Sequence, residues 1–234
     1  MKVLEVKNIS FTYKGEGILI DNISFSLEKN EFLSIVGSSG CGKSTIIKLI
    51  AGIEKAYTGN ISGLSTGYMP QKDLLLPWRT VLENILLPVE LNKKSLAEGK
   101  EKAEEYLKKL NLYGYKDKLP HELSGGMRQR VSFLRTLLTE ADILLLDEPF
   151  SALDAITKEY LQKWLLDTLK EFNKSIVFIT HDINEALYLS DRILVCENKP
   201  LKSFKEFIVP KDKNNIEELA EMKKDILHII RGEN

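Results

Sequence analysis

The sequence predicts an α/β fold in which a parallel sheet is covered by helices, within one domain over residues 1–234. Three observations predict it. Short apolar runs of strand length recur, with FLSIV at 32–36, ILLL at 143–146 and SIVFIT at 175–180. Helix-period stretches alternate with them, such as TKEYLQKWLLDTLKEF at 157–172. Strands that are apolar at nearly every position are buried on both faces, which requires helices above and below the sheet. The hydrophobic share, 43%, is that of a chain with a buried core.

Along the chain, residues 2–7 alternate apolar and polar, and ISFTY at 9–13 adds β-formers. ILIDNISFSLEKNEFLSIVG at 18–37 reads as two more strands around a polar turn at Glu28–Asn30. KSTIIKLIAG follows as a helix, with Ile46, Ile47, Leu49 and Ile50 as its apolar residues and Gly52 as its stop. NISGLSTGYMPQ at 60–71 has the character of short strands and turns. From Thr80 to Leu138 the pattern is mostly helical. SLAEGKEKAEEYLKKL at 95–110 is amphipathic, and SGGMRQRVSFLRTLL at 124–138 opens on a Ser124 cap with Met127, Val131, Leu134 and Leu138 on one side. A further helix is expected at 182–189, a strand at 192–196 and an amphipathic C-terminal helix at about 214–231.

Charge and cysteines narrow the function. Lysine and arginine total 33 against 34 acidic residues, so the basic excess that nonspecific nucleic-acid binding needs is absent. The two cysteines, Cys41 and Cys196, are far apart in sequence and suggest free thiols rather than a disulfide framework. The start MKVLEVKNIS lacks a signal-peptide core, and no apolar run reaches membrane-spanning length. A cytoplasmic protein is expected, with any membrane role exercised through a partner.

GSSGCGKST at 37–45 fits G-x-x-x-x-G-K-[S/T], through Gly37, Gly42, Lys43 and Ser44. It follows the strand FLSIV and opens a helix. Small residues, including Ser38, Ser39, Gly40 and Cys41, let backbone amides turn inward as an anion nest, and the helix start adds its positive end. Lys43 is placed to reach the β- and γ-phosphates of ATP, the Ser44 hydroxyl to ligate Mg2+, and Thr45 to add a hydroxyl near the α-phosphate. A glycine-rich turn without a ligand is the alternative, which the strand–loop–helix context disfavours.

ILLLDEP at 143–149 ends a buried strand on two carboxylates, Asp147 and Glu148. Ligands of parallel sheets bind outside the carboxyl ends of the strands. Successive strand residues point to opposite faces, so the two acids are expected to divide the work. Asp147 would hold magnesium through water, and Glu148 would orient or deprotonate an attacking water.

LSGGM at 123–127, lying just before ILLLDEP, resembles the signature motif of ABC-type ATPases. The resemblance runs from Tyr13 to about Cys196 and implies a P-loop NTPase core of ABC type. With it come an antiparallel β-subdomain near the N-terminus and a helical subdomain at about 73–140. It implies that Tyr13 stacks on adenine, with Phe11 as the second choice. Gln71 in YMPQ resembles the glutamine that contacts magnesium and water. Ser124, Gly125 and Gly126 resemble the residues that grip the γ-phosphate bound to the other subunit of a dimer. Asp154 in SALD resembles the residue that reaches across that dimer, and His181 resembles the switch histidine near the γ-phosphate. His121 and His228 match no chemical position.

LLLPWRTVLENI at 74–85, together with Met127 where the general signature has glutamine, resembles one importer branch. That branch comprises the ATPases for nitrate, sulfonate, taurine and pyrimidine precursors. The branch implies a transmembrane permease and, through it, a solute-binding protein. It also implies a homodimer around two ATP and a location on the inner face of the cell membrane. Leu76, Pro77, Trp78 and Arg79 are the expected permease surface, with core packing as the alternative for Trp78. ENKPLKSFKEF at 197–207 departs from the Pro-Gly-Arg turn frequent in that branch. An ATPase of a lipoprotein or peptide exporter, and a non-transport ABC ATPase, stand as alternative readings.

Overall fold

The computed structural model describes residues 1–197, 199–213 and 215–232, with residues 168–172 described as backbone alone. Two sheets organise it. β1 (Lys2–Thr12), β2 (Ile18–Glu28) and β4 (Thr58–Gly63) form an antiparallel sheet in the order β2-β1-β4. The second sheet has the order β5-β6-β7-β3-β8-β9. Its strands are β3 (Phe32–Val36), β5 (Thr66–Met69), β6 (Ile143–Asp147), β7 (Ser175–Ile179), β8 (Arg192–Cys196) and β9 (Phe204–Ile208). The five from β5 to β8 run parallel, and β9 closes the edge antiparallel to β8.

The edge strand β9 was not expected from the sequence. Its residues FKEFI are mostly exposed or half-buried, so no apolar run announces it. An antiparallel edge tolerates water on a face, and its charges guard the open edge against further pairing.

The pleat of the central strands divides two cores. Leu144, Leu146, Ile176 and Phe178 face one side, where α2 (Val81–Leu91), α3 (Leu96–Lys109), α4 (Gly125–Leu137) and α5 (Ala155–Phe172) pack. Ile143, Leu145, Val177 and Ile179 face the other, against α1 (Lys43–Ile50) and the antiparallel sheet. A third cluster joins α6 (Ile183–Leu189) and α7 (Ile216–Arg231) to β8 through Ala186, Val195 and Ile226. Asn215 caps α7 by accepting the Glu218 amide; Asn214, the first residue of the predicted helix, lies outside the described residues.

Candidate nucleotide site

β3 delivers the chain into the loop at Gly37, and α1 leaves it at Lys43. Gly37 is there because of close packing. A Cβ on it would stand 2.7 Å from Cys196 Cβ and 3.2 Å from Cys41 Sγ. Gly40 and Gly42 have φ of +76° and +106°, which curl the loop in a region side chains rarely adopt. α1 begins without a side-chain cap or an acidic residue in its first turn, so its amides and positive end remain available to an anion.

Lys43 is buried, and its Nζ donates to the carbonyls of Gly37 and Ser38, each at 2.8 Å. Those two bonds hold the ammonium inside the loop. Cys41 turns its side chain into the core, so its contribution to the loop is backbone. The Cys196 thiol donates to Cys41, which, against burial and with help from Lys43, lowers the Cys41 thiol to about 6. Cys196 itself is pushed up by that same contact and by burial.

The loop is one wall of a cavity of about 560 Å3. Ser39, Gly40, Gly42, Lys43, Ser44 and Thr45 line it from the loop, and Tyr13, Gln71 and Glu148 from outside. Tyr13 follows directly on β1, and its hydroxyl shares a 3.2 Å hydrogen bond with Thr45 Oγ1. Phe11, the alternative aromatic, is buried in the core and meets Tyr13 edge-on at 4.7 Å. The structure thus separates the two: Tyr13 faces the cavity and Phe11 supports it.

The acids sit where adjacent parallel strands end. Asp147 is buried and accepts the Ser44 hydroxyl at 3.1 Å. Burial pushes its carboxyl up, partly offset by that hydrogen bond, and the neighbouring Glu148 adds to the rise. Glu148 does not follow the strand alternation expected for it. β6 ends at Asp147, and Glu148 turns left-handed at φ +49°. The turn, and not the pleat, separates the two carboxylates. A non-glycine residue held there is strained, and strain of this kind collects at functional sites.

Glu148 is held from two sides. Gln71 Nε2 donates to Oε2 at 3.0 Å, and His181 Nδ1 lies 3.3 Å from the same oxygen. His181 follows β7, the next strand of the sheet, and is 65% exposed. Gln129, which sequence reading passed over, locks the turn from beneath. It is buried, donates to the Glu148 carbonyl at 3.0 Å and accepts the Ala152 amide at 3.0 Å. In the sequence Gln129 is one of three successive polar residues between Met127 and Val131, and nothing local marks it as buried.

Ser124, Gly125, Gly126 and Asp154 do not line this cavity. Ser124 caps α4 by accepting the Met127 amide at 3.2 Å, and Asp154 caps α5 by accepting the Thr157 amide at 3.0 Å. That amide holds the Asp154 carboxyl below the ordinary range. Ser124, Gly125 and Asp154 are exposed. They form a second, separate half of the predicted set.

The segment after Gln71 ties the site to the surface. Asp73 accepts Arg128 Nε at 2.9 Å, and its carbonyl accepts Arg135 at 2.8 Å, so α4 grips the segment. Buried Asn84 holds the next turn, bonding the Leu76 amide and the carbonyls of Leu76, Arg79 and Thr80. Polar Asn84 takes the interior, and Trp78 is left 72% exposed. Core packing is therefore excluded for Trp78. Pro77 is exposed beside it, while Leu76 and Arg79 are half-buried and Arg79 pairs with Glu90 at 2.7 Å.

Comparison with known proteins agrees with this geometry. Residues 20–151 match the family model for the ABC transporter. The formylaminopyrimidine import ATP-binding protein ThiZ of Halalkalibacterium halodurans is 42% identical over 90% of this chain and 86% of its own. The aliphatic sulfonates import ATP-binding protein SsuB of Bacillus subtilis is 38% identical over 86% and 82%. Among solved structures, the dimeric post-hydrolysis state of the ATP-binding cassette MJ0796, bound to ADP and Pi, superposes with a TM-score of 0.81. It is 31% identical and covers 88% of this chain and 99% of that one. The chain belongs to the ABC transporter family, as one of its ATP-hydrolysing, ATP-binding proteins.

Proposed function

We propose that this chain powers the import of a small organic solute by closing as a homodimer around two ATP and driving a transmembrane permease. The observation that carries the reading is the cluster of Gln71, His181 and Glu148, whose carboxylate is held by the first two beside the phosphate loop. In this reading Tyr13 stacks on adenine, and the loop amides, Lys43 and Thr45 hold the phosphates. Glu148 accepts the proton of the attacking water, with Gln71 and His181 fixing its carboxylate. Phosphoryl transfer asks mainly for positioning and charge stabilisation, which Lys43 and the amides provide.

Magnesium fits the oxygen-rich corner where the Ser44 hydroxyl meets the Asp147 carboxylate at 3.1 Å, with the Gln71 amide oxygen as a third donor. When bound, the ion would neutralise charge on the β- and γ-phosphates. Ser124, Gly125, Gly126 and Asp154, outside the cavity of their own chain, serve the ATP bound to a second copy. This supports a composite site at a dimer interface.

The exposed pair Pro77 and Trp78, with Leu76 and Arg79, is the surface offered to the permease. Among the described residues no helix is long and apolar enough to cross a membrane. In this reading the permease holds the chain at the cytoplasmic face of the cell membrane, with a solute-binding protein on the far side; the import ATP-binding proteins among its relatives support it. The names of its relatives favour import over export, with cargo of the pyrimidine-precursor or sulfonate type.

The test is co-expression with its permease and reconstitution of the complex in vesicles. Magnesium-dependent ATP hydrolysis stimulated by a loaded solute-binding protein, with solute entering, is expected. A complex that hydrolyses ATP yet moves solute only outward would overturn the import reading.

A further inference from the structure

The connection between β8 and β9 is the part of the sequence that departs from the importer pattern, and it returns to the nucleotide cavity. Cys196 at its start is buried. Leu201 beyond it is fully buried and bonded into the antiparallel sheet. Its amide donates to the Leu19 carbonyl at 2.9 Å and its carbonyl accepts the Asp21 amide at 2.8 Å. Lys199 lies between these two anchors. Its side chain lines the same cavity as Lys43, and its Nζ stands 3.6 Å from where a Cβ on Gly40 would lie. Among the described residues Lys199 makes no ion pair, although Lys202 three positions on pairs with Asp21.

We propose that Lys199 is a second phosphate-binding cation of the nucleotide site, reaching the polyphosphate chain over the crown of the loop at Gly40. Lys43 acts from inside the loop, where two carbonyls hold it, and Lys199 acts from the solvent side. An ammonium kept beside a nest of amides with no carboxylate partner lacks only an anion. Its anchors limit the ordering that binding must impose, which is what lets an exposed lysine contribute affinity. The inference rests on the nucleotide reading of the cavity. It adds a binding residue in a segment outside the phosphate-loop, acid-pair and signature motifs.

The experiment is calorimetric titration of the full chain with ATP and with ADP at two salt concentrations. Parent, Lys199→Ala, Lys199→Glu, Lys199→Arg and Lys43→Ala are compared, with thermal melts to check folding. Lys199→Ala should raise Kd about five-fold for either nucleotide, and Lys199→Glu about ten-fold or more. The salt dependence of Kd should become shallower in Lys199→Ala, and Lys199→Arg should restore both affinity and slope. A structural role alone would not give rescue by arginine or a changed salt slope. If Lys43→Ala weakens binding while Lys199→Ala and Lys199→Glu bind as the parent does, this proposal is overturned and the nucleotide reading stands. If Lys43→Ala also binds as the parent does, both fall.

Discussion

Gln71 and Glu148 lie 77 residues apart in sequence, and their side chains meet, Nε2 donating to Oε2 at 3.0 Å. The meeting follows from topology. β5 and β6 are adjacent and parallel, so the residues that leave their carboxyl ends become neighbours. Glu148→Gln replaces the acceptor by an amide of the same shape and removes the base. Hydrolysis should fall by roughly 100- to 1,000-fold while ATP still binds. With ATP held, the protein should run as a dimer in light scattering, and as a monomer with ADP or after adding Ser124→Arg. A monomer at saturating ATP, in the permease complex as well as alone, would count against the composite site.

Lys43→Ala removes a buried ammonium from between two carbonyls. Hydrolysis should drop by at least about 100-fold, and ATP affinity should fall as well. Phosphate-release assays beside calorimetric binding measure the two effects. Turnover near that of the parent would mean that the loop is not the phosphate site.

Trp78→Ala should separate coupling from folding. At 72% exposure the ring contributes little to the isolated chain, so stability should stay within about 0.5 kcal/mol and basal ATP hydrolysis should persist. Transport by the reconstituted complex should fall sharply, because buried aromatic anchors dominate interfaces. Undiminished transport would remove this surface from the permease contact.

Cys41 supplies a pH test. Its thiol, lowered to about 6 by the Cys196 donor, should ionise well below the ordinary value of 9.0. Ultraviolet thiolate absorbance, taken as the difference between parent and Cys41→Ala, should rise with a midpoint near 6. Cys196→Ala should move that midpoint upward. The folded form of this acid loses its proton first, so the native state should gain stability as pH rises from about 6 toward 9. An absorbance step only near 9 would show that the two thiols do not interact.

The parts legible in sequence were those whose meaning is local. The phosphate loop is recognisable because strand, loop and helix are contiguous, and ILLLDEP because a buried strand runs straight into its acids. The rest depends on placement. Nothing local says that Glu148 turns left-handed, since that is decided by Gln129 reaching up from α4. Core packing was the alternative for Trp78, and no local signal rules it out; that depends on Asn84, which fills the interior with four hydrogen bonds while the ring stays outside. β9 was hidden by its charges, and Lys199 by a segment whose register depends on Leu201 two residues later.

Ser124 closes the start of α4 with its own hydroxyl, so the half of the proposed composite site that it belongs to is a capped helix start and not a loose loop. Association of two such surfaces orders little backbone. Closure should therefore show a heat-capacity change proportional to the apolar area covered, without the large excess that marks coupled folding. Its rate should be that of two rigid patches finding their orientation, on the order of 10^5 to 10^7 M−1 s−1.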